Sequence, residues 1–140
     1  DSYGSVFSDD VLEIINLIKS KCNIPLGFHA HNNIELAFSN SILAMNNGCE
    51  IIDSTITGMG RGAGNLKTEL LLTYLNKKNI AKFDFKQLSE CISVFEELKK
   101  NYEWGTSFPY MFSGMYSLEQ KKVMNWIGVN RYPLEVIIKN

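Results

Sequence analysis

Apolar residues near the start of the chain recur at helical spacing. Val11, Leu12, Ile14, Ile15, Leu17 and Ile18 form a broad apolar face, which predicts a core-covering helix over roughly residues 9 to 21. Ser8 is placed to cap it, Asp9 and Asp10 suit the positive end of its dipole, and Lys19 and Lys21 suit the other end. The short apolar run IPLGFHA reads as a strand. A second helix follows from about Ile34 to Asn47, with Gly48 as its left-handed C-terminal cap. CEIIDSTI reads as a second strand, and beyond a glycine-rich loop NLKTELLLTYLN reads as a third helix. Helices longer than ten residues between short strands predict right-handed βαβ units and a parallel sheet.

From about Phe83 the pattern becomes helical only. Phe85, Leu88, Ile92 and Phe95 keep to one face of DFKQLSECISVFEELKK, with Asp84 as its N-cap. WGTSFPYMFSG breaks the periodicity. In SLEQKKVMNWIG, Ser117 and Gln120 have capping-box spacing, Trp126 and Ile127 lie near the end, and Gly128 stops the helix; Pro133 suits the first turn of a short closing helix. The expected division is therefore an α/β part over residues 1–82 and a helical part over residues 83–140.

Composition narrows the function. A 140-residue chain that is 45% hydrophobic and 21% charged can bury the core of one ordinary domain. A net charge of −1 with scattered Lys and Arg speaks against nucleic acid or an anionic membrane as a partner. No apolar run approaches the ~18 residues of a membrane span, and the N-terminus lacks the form of a secretion signal. Cys22, Cys49 and Cys91 are far apart and lack CxxC spacing, so the expectation is a reducing, cytoplasmic protein without a disulfide framework. The opening DSYGS reads as the end of something, so a fragment is expected.

The chain's only two histidines stand in GFHAHNN. Side chains alternate along a strand, so Gly27, His29 and His31 share one face while Leu26, Phe28 and Ala30 share the other. The second face suits a helix layer. The first places two imidazoles about 7 Å apart along the strand, within reach of one divalent cation. Two hydrogen-bonded polar residues at a strand terminus explain the same pattern.

The second feature is TGMGRGAGN, between a strand and a helix. Gly58, Gly60, Gly62 and Gly64 permit close approach of backbone to a ligand, and Asn65 is placed to cap the helix that follows. The loop is neither a P-loop nor a GxGxxG dinucleotide fingerprint. Asp53, near the end of its strand, either faces the same mouth or hydrogen-bonds the loop.

The ordered run from GFHAHNN through NGCEIIDSTITGMGRGAGN to NLKTELLLTYL resembles the last two βα units of the metal-dependent aldolase and lyase superfamily. That group includes 4-hydroxy-2-oxovalerate aldolase, 3-hydroxy-3-methylglutaryl-CoA lyase and the isopropylmalate synthases. DSYGS is similar to the end of the preceding strand there, and FPYMFSG is similar to the helical C-terminal part of the hydroxyoxovalerate-aldolase branch. The resemblance implies the C-terminal portion of a (β/α)8 barrel, its last strands and helices, followed by a helical extension, with the site at the C-terminal strand ends. It makes His29 and His31 metal ligands, places Asn65 in or near the metal shell, and makes Tyr110 the nearest match to an active-site tyrosine. Gly60, Arg61, Gly62 and Asp53 become loop and substrate contacts.

The resemblance further implies a divalent ion, Mg²⁺ or Mn²⁺ suiting the mixed ligands best and Zn²⁺ staying open, acting as a Lewis acid on a 2-oxo acid so that a carbon–carbon bond is cleaved or formed through a stabilised enolate. A full barrel needs about 250 residues. The Arg-Asp pair that supplies the family's metal-binding carboxylate has no counterpart in these 140 residues, nor has the histidine base of the aldolase branch. The chain alone is therefore expected to be inactive and its parent to be the lyase. Two other readings stay open: a non-catalytic binding or assembly module derived from a half barrel, and an acyl-CoA-dependent Claisen condensing enzyme. Expected partners are a small 2-oxo acid and either a second copy or the missing barrel half. An aldehyde dehydrogenase is known in the aldolase branch, but the C-terminal resemblance is too loose to assign it here.

Overall fold

The computed structural model describes residues 1–128. Helix α1 (Ser8–Lys21) is followed by β1 (Gly27–Phe28), α2 (Ala37–Asn46) and β2 (Ile51–Ile52), then a 3-10 turn (Ile56–Gly58), α3 (Thr68–Lys77), α4 (Phe85–Tyr102), α5 (Phe108–Met115) and α6 (Gln120–Gly128). The two strands are parallel and adjacent, with Gly27 opposite Ile51 and Phe28 opposite Ile52. The predicted βαβ unit is present, but its strands are shorter than the apolar runs suggested.

The alternation along β1 holds. Leu26, Phe28 and Ile52 pack on Val11, Ile15, Ala44 and Cys49, and Phe28 and Ile52 also meet Ala30, Ala37, Leu66 and Leu71. Each fully buried aliphatic side chain contributes roughly 1.5–3 kcal/mol. The opposite face, with Gly27, His29, Ile51 and Asp53, is exposed. Ile51, in the middle of it, is 56% exposed. Cys49 is buried in the first cluster, and burial pushes its thiol pKa up; Cys22 and Cys91 are exposed, and all three are free.

Several helix ends differ from the sequence reading, each for a local reason. Ser8 lies inside α1 rather than capping it: Phe7 occupies the N-cap position, its N–H donates to the Asp10 carboxylate at 2.9 Å, and the Ser8 hydroxyl donates to Asn40 Oδ1 instead. Helix α2 begins at Ala37 rather than Ile34 because Glu35 is left-handed, with φ 61°. Asn32 Oδ1 then accepts from the Ala37 N–H, and Gly48 ends the helix with φ 89°, as expected. Asn65 does not cap α3. Residues around it are extended, with the Leu66 N–H donating to Ala30 O and the Thr68 N–H to Thr55 O, so the helix starts only at Thr68.

Asp84 does cap α4, accepting from the Lys86 and Gln87 N–H groups. The segment read as aperiodic contains α5, with Pro109 in its first turn where a missing N–H costs nothing. The Ser117–Gln120 capping box does not form: Ser117 is left-handed (φ 51°), and Gln120 is 7% exposed with its side chain turned into the fold. Gly128 is the last residue of α6, and Pro133 lies outside the described residues. No helix among the described residues is long and apolar enough to cross a membrane.

Hydrogen bonds tie the helical part to the loops beyond β1 and β2. The buried Trp104 indole N–H donates to Thr57 O at 3.2 Å, and the Gly105 N–H donates to Gly62 O at 2.9 Å. Asn33, 1% exposed, turns its amide Nδ2 toward Gln120 Oε1 (2.7 Å), Ser113 Oγ (3.2 Å) and Tyr110 O (3.3 Å). Gln120 Nε2 reaches Arg61 O in the glycine loop at 3.5 Å. Gly114 permits this seam: a Cβ there would stand 2.7 Å from Ile34 Cγ2 and 2.8 Å from Asn33 Cβ.

Candidate metal centre

His29 and His31 emerge from the carboxyl end of β1 on the exposed face, and their ring centroids are 5.0 Å apart at an interplanar angle of 75°. The rings are closer than the strand repeat alone predicts. An isolated antiparallel bridge pairs His31 with Asn65, held by the Asn32 N–H on Gly64 O (2.9 Å) and the Leu66 N–H on Ala30 O (3.2 Å). The glycine loop is thereby folded back onto the histidine segment.

Each imidazole uses Nδ1 on a protein acceptor. His29 Nδ1 lies 3.2 Å from Asp53 Oδ2, and His31 Nδ1 contacts the Asp1 carbonyl oxygen. A carbonyl acceptor requires the proton on Nδ1, so neutral His31 carries its lone pair on Nε2. Burial, and then the neighbouring His29, lowers the His31 pKa and favours that neutral form.

Asn65, bridged to His31 through the backbone, carries a further oxygen atom suited to a cation. Its Nδ2 donates to Met59 O at 3.1 Å, which fixes the orientation of the amide and leaves Oδ1 as the other end. That oxygen is buried and has no hydrogen-bond partner. An unsatisfied buried acceptor costs about 1–3 kcal/mol, a cost that a bound cation removes. Gly60 makes room for the amide, because a Cβ there would stand 2.6 Å from Asn65 Nδ2. Two imidazole nitrogens and an amide oxygen fit a divalent ion with mixed ligands. Among the described residues no three His, Cys, Asp or Glu side chains cluster as a metal site, so these donors form an incomplete set.

The other residues singled out in the sequence divide. Asp53 joins the histidines, bonding His29 and not the loop. Arg61 is exposed on the glycine loop, and the buried Gly62 lies beside Tyr110 and Gln120. Tyr110 lines a cavity of about 850 Å³ together with Asn65, Thr57, Trp104 and Asn32, and neither histidine reaches that cavity. Partial burial raises the Tyr110 pKa, keeping its phenol protonated. Asn65 thus joins the histidine segment through its backbone bridge to His31 and also lines the tyrosine cavity. Sequence reasoning missed Asn33, Trp104 and Gln120, since nothing in the helical pattern marks a polar or aromatic residue as the partner of a loop far along the chain.

Comparison with known proteins identifies the family. The HMGL-like family model matches residues 1–95. The 4-hydroxy-2-oxovalerate aldolase of Pelotomaculum thermopropionicum is 35% identical over 120 residues, which is 84% of this chain and 35% of that protein. The enzyme of the same name from Pectobacterium atrosepticum is 43% identical over 77 residues, covering 55% of this chain and 22% of that protein. The crystal structure of the N-terminal domain of a protein assigned as an aldolase from Bacteroides vulgatus superposes with a TM-score of 0.89 at 45% identity, over 99% of this chain and 45% of that one. The chain spans about a third or less of the curated relatives' length. With a family match over more than half its length and a structural neighbour at this level of identity, the chain belongs to the HMGL-like family.

Proposed function

We propose that this chain carries part of the active site of a divalent-metal-dependent aldolase that cleaves 4-hydroxy-2-oxo acids and releases pyruvate. The observation that carries the reading is the pairing of His29 and His31 at a strand end, bridged through the backbone to Asn65, whose side-chain oxygen is buried without a partner. Residues 1–82 would supply closing βα units of a barrel and residues 83–140 its helical extension. The exposed Gly27–His29–Ile51–Asp53 face supports this, since the inner face of a barrel strand is lined by such alternate residues.

His29, His31 and Asn65 would hold the ion, Mg²⁺ or Mn²⁺ suiting the donors best. When bound, it supplies Lewis acidity toward the oxygens of a 2-oxo acid. This chain's own groups then have distinct tasks. The exposed Arg61 guanidinium meets the substrate carboxylate, and Gly60 and Gly62 let the loop backbone approach it closely. Tyr110, protonated and half-buried, offers a hydroxyl proton donor from the cavity side, and Trp104 closes the floor of that cavity against water. The carboxylate ligand and the general base come from outside these residues, which is why the isolated chain is expected to be inactive.

The test is pyruvate release from 4-hydroxy-2-oxovalerate by the natural full-length gene product, with and without Mn²⁺. Activity that depends on the metal and is lost in His29→Ala and His31→Ala supports the reading. Release of CoA from an acyl-CoA and a 2-oxo acid, without aldol cleavage, would replace it with the condensing-enzyme alternative. Neither reaction in a protein that also binds no metal would replace it with the binding-module reading.

A further inference from the structure

We propose that Asp53 is a positioning residue for His29, the carboxylate that holds this imidazole with Nε2 presented to the metal; this rests on the metal reading above. The sheet builds the contact. Phe28 pairs with Ile52, and the Asp53 N–H donates to Phe28 O at 3.0 Å, so residue 53, just past β2, stands beside residue 29, just past β1, on the same exposed face. The carboxylate then meets Nδ1 at 3.2 Å. Because the two ring nitrogens point away from each other, a carboxylate engaged at Nδ1 is behind the ring relative to anything bound at Nε2. Asp53 accordingly acts through His29 and is not a ligand, in keeping with the lack of a three-residue acidic and histidine cluster among the described residues.

Two further observations support a positioning role. The side chains of His29 and Asp53 are 46% and 58% exposed, and an ion pair so open to water contributes little to folding. The neighbouring His31 has the same arrangement with a different acceptor, its Nδ1 on the Asp1 carbonyl oxygen. Both imidazoles are therefore held from behind, one by a neutral carbonyl and one by a charge. A carboxylate behind a ligating imidazole fixes its tautomer and increases its donor strength, and loss of such a partner weakens metal affinity about 10–100-fold.

The test is titration of the metal-free full-length protein with Mn²⁺, free ion being counted by electron paramagnetic resonance. Asp53→Asn keeps an acceptor but removes the charge; Asp53→Ala removes both. The expected order of Kd is wild type, then Asp53→Asn, then Asp53→Ala, with the last weakened about 10-fold or more. In a His29→Ala background Asp53→Ala should add nothing, which a general structural role would not produce, and the metal-free melting midpoint should stay unchanged. If His29→Ala weakens Mn²⁺ binding while Asp53→Ala binds like wild type, the positioning role is overturned and the metal reading survives. If neither His29→Ala nor His31→Ala changes Mn²⁺ binding, the metal reading falls and this inference with it.

Discussion

His29 and Asn33 lie four residues apart on the same segment, yet they face opposite conditions. His29 opens to water with a single side-chain partner, whereas Asn33 is 1% exposed and its amide meets three acceptors contributed by α5 and α6. The histidine side leaves a ring nitrogen free, whereas the Asn33 amide nitrogen is fully engaged. A group meant to hold a ligand has to keep an unspent lone pair, while a group that joins two parts of a fold must spend every polar atom or incur the cost of a buried, unpaired one. The segment therefore separates into an open chemical edge and a closed seam.

The strongest way to break this contrast is to force the seam apart. Gly114→Val places a branched side chain where even a Cβ would sit 2.7 Å from Ile34 Cγ2, 2.8 Å from Asn33 Cβ and 2.9 Å from Gly4 O. The last of these is backbone, which cannot move aside as a side chain can. The expected loss is about 3 kcal/mol, read from chemical denaturation. A variant as stable as wild type would show that α5 is not packed on the Asn33 segment as described.

Removing the amide tests the polar half of the seam. Asn33→Leu leaves Gln120 Oε1 buried without its 2.7 Å donor, and a loss of about 2–3 kcal/mol is expected. Gln120→Leu should cost a similar amount, and the double variant less than the sum, with a coupling of about 1–2 kcal/mol in the cycle. Strict additivity would mean that the two side chains do not share the bond.

Tyr110 belongs to both regions, since its carbonyl joins the seam and its ring lines the cavity with Asn65. Burial raises its phenol pKa above the ordinary value of about 10. The unfolded chain therefore releases this proton first. The stability tied to the neutral phenol is complete below the ordinary value and is lost as pH rises from there through the raised one. Denaturation midpoints should fall from about pH 9 upward in wild type, where the buried Cys49 thiol also contributes, and fall less steeply in Tyr110→Phe. Equal slopes in the two proteins would place the ring in water.

How much of this was legible in the sequence follows the same division. The open edge could be read, because strand alternation alone puts His29 and His31 together and Leu26, Phe28 and Ala30 on the core side. The glycine loop could be read as a place of close backbone approach, although the geometry uses Asn65 as a bridge residue opposite His31 and not as a helix cap. The seam could not be read. Gln120 had capping-box spacing from Ser117, and only the three-dimensional path of the chain turns it toward Asn33. Helix α5 was hidden because FPYMFSG mixes a proline, a glycine and aromatic residues, so local propensity says little and tertiary packing decides.

The smallest expected effect bears most directly on the open edge. His29→Ala removes an exposed side chain whose one hydrogen bond goes to an exposed carboxylate, so metal-free stability should change by less than about 0.5 kcal/mol. The same substitution should abolish tight Mn²⁺ binding. Stability and binding thus respond in opposite ways at the two ends of one short segment: Asn33→Leu lowers the first, and His29→Ala lowers only the second. If His29→Ala instead destabilised the metal-free protein as much as Asn33→Leu, the imidazole would be a structural element of the strand end, and the division between edge and seam would have no basis.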